Sequence, residues 1–217
     1  MSNDKQLKQD VMAELAWEPS VNTAHIGVTA CDGVVTLSGH VETYFEKRAA
    51  ESAAGRVKGV KAVVEEIEVR LPFHGKRTDD EIAAATISRL DSDITVPRDA
   101  IKVMVEKGWV SLTGEVHWQY QRDAAEQDVR RLLGVVGVSN EINIIKPHVN
   151  VANLSVDIMH ALKRAWFFDP KTISVSAENG KVKLTGTVDT WREKEIAEST
   201  AWAAPGAISV ENNIVIA

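Results

Sequence analysis

The side chains able to do chemistry in this sequence are six histidines (His25, His40, His74, His117, His148, His160), one cysteine, Cys31, and the adjacent acids Glu65 and Glu66. Imidazoles bind metals or move protons where several converge. Here they occupy no shared register and no two stand at ligand spacing, so surface or linker positions are expected. Cys31 precedes Asp32, whose negative charge disfavours a thiolate, and a small turn residue is expected there. Glu65 and Glu66 are neighbours on a strand and point to opposite faces, which rules them out as a proton-sharing pair. Glu51, Glu126 and Glu198 recur at one register. They read as helix-surface residues, and only Glu126 has a cation, Arg130, four residues on. No G-x-x-x-x-G-K-[ST], H-E-x-x-H, C-x-x-C or G-x-S-x-G stretch occurs. No catalytic residue, metal site or cofactor is therefore expected, and the chain reads as non-enzymatic.

The elements that would position any site are set by a repeat. Gly33-Val34-Val35-Thr36-Leu37-Ser38-Gly39 recurs as Gly108-Trp109-Val110-Ser111-Leu112-Thr113-Gly114 and as Gly180-Lys181-Val182-Lys183-Leu184-Thr185-Gly186, at intervals of 75 and 72 residues. Counted from the last glycine of each motif, Val41, Val116 and Val188 share a position. So do Ala50, Ala125 and Ala197, then Gly59, Gly134 and Gly206, then Ile67, Ile142 and Ile214. Domains over residues 1–71, 77–146 and 150–217 follow, joined by short linkers at 71–77 and 146–150.

Each unit reads as αββαβ. Leu7, Val11 and Leu15, and again Leu154, Ile158 and Leu162, put apolar residues on one helical face. In the second unit Thr78 to Glu81 forms a capping box. These first helices are expected to end near Pro19, Pro97 and Pro170. Two alternating strands follow, joined through Asp32-Gly33, Lys107-Gly108 and Asn179-Gly180, turns of the kind that need positive φ twice. A second helix is expected over about residues 44–57, 119–133 and 191–204, with alanines toward the sheet, and a third strand closes each unit. The fold class is α+β: three tandem domains, each a three-stranded mixed sheet with two helices on one face.

The strand-and-glycine stretches Gly33 to Val41, Gly108 to Val116 and Gly180 to Val188, with Gly59 to Ile67 and Gly134 to Ile142, resemble the BON domain, a bacterial module of osmotically inducible and nodulation proteins. Pro205-Gly206-Ala207 departs slightly from its second motif. The resemblance implies binding to phospholipid membranes or other envelope components, a place in osmotic or general stress response, and no shared catalytic residues. One relative pairs such a domain with a peptidoglycan-binding-like module and responds to potassium, which makes ion-responsive or small-ligand binding an alternative.

The whole sequence carries 25 Lys plus Arg against 31 Asp plus Glu, a net charge of -6, and no unit is net basic, which argues against a nucleic-acid partner. With 44% hydrophobic residues, 13 Gly and 6 Pro, it is a folding composition. The absence of a basic start with an apolar run, and of an 18-residue apolar stretch, reads as cytoplasmic, with peripheral contact at the membrane.

In a repeat array function belongs where copies diverge. The outward residues of the second strand are Val34, Thr36 and Ser38, then Trp109, Ser111 and Thr113, then Lys181, Lys183 and Thr185: aliphatic, aromatic and basic faces in turn. Trp109 with Met104 makes an apolar surface whose expected cover is a neighbouring domain or a second subunit, a scaffold reading, with a ligand as the other occupant. A second group stands at the start of the second helices: Tyr44 and Phe45, Trp118 and Tyr120, Trp191 and Arg192, with Trp166, Phe167 and Phe168 as possible additions to an amphipathic rim. The ligand or partner residues expected are therefore Trp109, Met104, Trp118, Tyr120, Trp191, Tyr44, Lys181 and Lys183. The partners expected are an envelope ligand and either a homo-oligomer or tight inter-domain packing.

Overall fold

A computed structural model describes residues 2–145, 153–164 and 172–216. Linker residues 146–150, with His148, and Trp166, Phe167, Phe168 and Pro170 lie outside them.

The first repeat runs α1 (Ser2–Trp17), β1 (Ile26–Cys31), β2 (Val34–Val41), α2 (Tyr44–Gly55) and β3 (Ala62–Val69). The second runs α3 (Asp79–Ser92), β4 (Ile101–Glu106), β5 (Trp109–Val116), α4 (Gln119–Val129) and β6 (Gly137–Ile144). The third runs α5 (Leu154–Arg164), β7 (Ile173–Glu178), β8 (Lys181–Val188), α6 (Trp191–Trp202) and β9 (Ser209–Ile216). Each forms its own three-stranded sheet with its middle strand central, β1–β2–β3, β4–β5–β6 and β7–β8–β9. In the first and third, the hairpin pair is antiparallel and the last strand is parallel to the middle one. That parallel return requires the crossover helix between them.

The turns behave as their sequences require. Asp32 and Gly33, Lys107 and Gly108, and Asn179 and Gly180 all have positive φ, so each hairpin closes through a type I′ turn. Asp4 accepts from the Asp32 N–H, and Asp79 accepts from those of Lys107 and Gly108 at 2.8 Å, tying each turn to the start of the preceding helix. The motif's closing glycine is obligatory: a Cβ on Gly39, Gly114 or Gly186 would lie 1.9–2.0 Å from the carbonyl oxygen of His25, Ala100 or Thr172.

Helices cover one face of each sheet, and the cores lie between. Val35, Leu37, Val110, Leu112 and Leu184 are fully buried, as are Ala50, Ala125 and Ala197 of the second helices and Val11 and Ile158 of the first. The helices are shorter than their apolar patterns suggest. α2 gives way after Gly55 to turn bonds from Arg56 to Ala53 and from Val57 to Ala54, and Gly59 then reverses the chain at φ 92°. α3 stops well before Pro97, because Asp93 leaves helical backbone and its carboxylate accepts from Thr95. The capping box of Thr78 and Glu81 is present.

Two compact units result: one holds the first repeat with most of the second, the other holds the third repeat with His117–Gln119.

Candidate functional site

The inner faces repeat, and the glutamates shared by the second helices belong to that scaffold. Glu126 accepts from the side chain of Asn140 at 3.1 Å and Glu198 from that of Asn212 at 3.0 Å, each linking helix to last strand. In the first repeat the strand position is Glu65, where an acid would repel Glu51. Lys47 bridges Glu65 instead, at 2.7 Å, and Glu51 pairs with Arg48. The expected pair of Glu126 with Arg130 gives way to this helix-to-strand bond. Glu65 and Glu66 do face opposite ways, Glu65 half-buried toward Lys47 and Glu66 exposed.

Aromatics at the helix starts have separate fates. Tyr44 is half-buried, and its phenol is hydrogen-bonded to the backbone of Val138 in the second repeat. Burial there raises its pKa. The guanidinium of Arg131 lies 6.0 Å from the centroid of the Phe45 ring. Both residues thus serve the packing of the first repeat on the second. Trp191 is half-buried against its own core and donates to Glu195 at 3.3 Å. Trp118 is half-buried and Tyr120 is 56% exposed.

The outer sheet faces differ as the sequence indicates, with one correction. The third is not a basic field. Lys181 stands opposite Glu178 across the hairpin, and Lys183 lies 3.4 Å from Glu211, whose pKa is lowered by Asn213 and then by that lysine. The first face carries Val34 beside Ala62, with Thr36, Ser38 and a partly exposed Val64.

On the second sheet, Trp109 is 49% and Met104 65% exposed. The indole is held in place. It lies so close over Gly137 that a Cβ there would be 2.3 Å from its Cε3 and Cζ3 atoms, and its Nε1–H donates to Ser139 Oγ at 2.9 Å. One ring face therefore rests on the strand and the other is open. Met104 faces Ser111 across the hairpin, and Thr113 faces Lys102. The parts of Gly137 and Ser139 escape a reading by single positions. Their signal is that the repeats carry Ala62, Gly137 and Ser209 at one register, with glycine only where the facing residue is tryptophan.

Elsewhere, two histidines of no shared register come together because the first hairpin aligns its ends. His25 and His40 stack with centroids 4.5 Å apart, Arg70 lies 3.5 Å from His40, and both histidines line a cleft of about 240 Å³. Buried Asp128 accepts from Arg89 at 2.8 and 2.9 Å, and burial raises its pKa. Cys31 is exposed at its turn. Among the described residues no three metal-ligating side chains converge, and no helix is long and apolar enough to cross a membrane.

Comparison with known proteins agrees with the repeat. The BON domain profile matches residues 3–70, 78–146 and 150–217. Osmotically-inducible protein Y of Escherichia coli is 32% identical over 144 residues, which are 64% of this chain and 72% of that protein. The 21 kDa hemolysin of Actinobacillus pleuropneumoniae is 29% identical over 148 residues, 67% of this chain and 69% of its own. Two solved structures of CdsD, a structural protein of the type III secretion system of Chlamydia trachomatis, align over 98% and 97% of this chain and 92% and 97% of theirs. Both have a TM-score of 0.27, at 17% and 16% identity, too slight a likeness to bear on function.

Proposed function

The chain belongs to the BON domain family three times over, and from that premise we propose that it is a non-enzymatic binding protein of the osmotic stress response. In this reading it holds a component of the cell envelope, such as a phospholipid surface, against the open sheet of its second repeat. One relative named for osmotic induction and another named for hemolysis motivate the stress and envelope parts. The observation that carries the proposal is the Trp109 and Met104 surface: apolar and exposed, with the indole of Trp109 held by Gly137 and Ser139. An exposed aromatic normally swings freely, and holding one still removes entropy that binding would otherwise cost.

The test is cosedimentation of the full chain with washed, fragmented envelopes at low salt, which presents both envelope surfaces. The wild type is expected to pellet and Trp109→Asp to stay in the supernatant. A wild type that does not pellet, or a variant that pellets equally, overturns the reading.

A further inference from the structure

We propose that the ligand of the second-repeat sheet is a saccharide, a chain of uncharged or N-acetylated pyranose rings of which one stacks on Trp109. This rests on the reading of that sheet as the binding face and narrows it to a chemical class. The posture of the indole is the main reason. At a membrane surface a tryptophan directs its N–H to the headgroups and its ring to the acyl chains. Trp109 has its N–H committed to Ser139 and its ring laid on Gly137, so what it offers is a flat face. That face bears the negative part of the ring quadrupole. The axial C–H bonds on one side of a pyranose are slightly positive and lie nearly in a plane, which matches it.

The surroundings fit the other half of a sugar, its rim of hydroxyls. Ser111 and Thr113 continue outward-facing along β5 and are half-buried. Ser139 accepts from the indole and retains its own hydroxyl proton to donate. Met104, across the hairpin from Ser111, extends the apolar surface. Charge separates this ligand from an anionic leaflet. The outward positions of β4 carry exposed Lys102 and Glu106, β5 adds exposed Glu115 and β6 exposed Glu141, a net of two negative charges. Anionic headgroups meet no attractive field there. A neutral polyol needs none.

Posture and partner also change together along the chain. At this register Val34 pairs with Ala62 and Lys181 with Ser209, and the repeat that has tryptophan also has the glycine that lets it lie flat.

The experiment titrates the full-length chain with two soluble probes, the tetramer of N-acetylglucosamine and the tetramer of glucose, both β-linked. Nuclear magnetic resonance follows the Trp109 indole N–H, and calorimetry gives the affinity. Parallel samples receive vesicles of phosphatidylethanolamine and phosphatidylglycerol. A saturable shift is expected with at least one saccharide. Affinity should fall at least about tenfold in Trp109→Ala and in Gly137→Ala, whose new methyl lifts the ring, with circular dichroism unchanged. No saccharide shift up to about 10 mM overturns the proposal. If the vesicles or the envelope fragments are then still bound in a Trp109-dependent way, the wider reading survives without it. Saccharide binding untouched by both substitutions overturns the site. A concentration-dependent dimer that shields the Trp109 N–H replaces the saccharide by a second copy of the chain.

Discussion

The second and third sheets share an inner face almost residue for residue and differ on the outer one. Inside, Val110 and Leu112 correspond to Val182 and Leu184, all nearly or fully buried. Outside, Trp109 lies on Gly137, whereas Lys181 and Lys183 stand opposite Glu178 and Glu211. The third face cancels its own charges and the second leaves an aromatic ring uncovered. The contrast teaches that surfaces in this array diverge as cross-strand pairs. A residue's meaning there depends on the strand beside it, while the apolar inner positions answer to packing.

The largest effect that could break this comparison is on the inner face. Leu112→Ala is expected to cost about 2–5 kcal/mol in urea unfolding, from lost burial and the cavity left behind. Trp109→Ala, three residues back on the same strand and on its outer side, should cost no more than about 1 kcal/mol. Similar losses for the two would mean that the indole is structural. Glycines separate the faces again. Gly114→Ala forces a Cβ to 2.0 Å from the Ala100 carbonyl at φ 142°, and should cost about 1–3 kcal/mol or more. Gly137→Ala meets the indole first, a side chain on the open face, and its unfolding midpoint should stay within experimental error of wild type.

A smaller loss is expected from the helix-to-strand links. Asn140→Ala and Asn212→Ala should each cost about 1–2 kcal/mol, since each leaves a half-buried glutamate without its amide. Unequal losses would show that the two repeats do not share this part of the scaffold. The smallest effect concerns pH. Burial raises the pKa of Asp128, so its contribution to stability is complete below the ordinary carboxyl range and is lost as pH rises through the raised value. Asp128→Asn, which has no proton to lose, should therefore gain on the wild type in thermal unfolding as pH rises above the ordinary carboxyl range. A wild type that gains on the variant over that rise contradicts the assignment.

Much of the scaffold is legible in the sequence because its signals are local or periodic. Leu7, Val11 and Leu15 declare a helix face, Asn179-Gly180 declares its turn, and repetition of the glycine motif divides the chain into three. The pattern fails where partners are set by strand register or packing between repeats. Glu126 looks paired with Arg130 along its helix, yet Asn140, fourteen residues away, takes it. Tyr44 looks like a surface aromatic and is instead bound at Val138. Trp109 is visible as an outward residue, but its posture depends on Gly137, and Lys181 and Lys183 look basic until their acids are placed beside them.

The most direct measurement of the central claim is oxidative footprinting of the full chain with and without envelope fragments, read by mass spectrometry at each tryptophan and methionine. Trp17, 83% exposed on the first helix, is the internal reference against Trp109 and Met104. Protection confined to Trp109 and Met104, with Trp17 oxidised at its free rate, is the predicted result. Equal protection of all three, or protection of Trp17 with Trp109 unchanged, would contradict the assignment of binding to the second sheet.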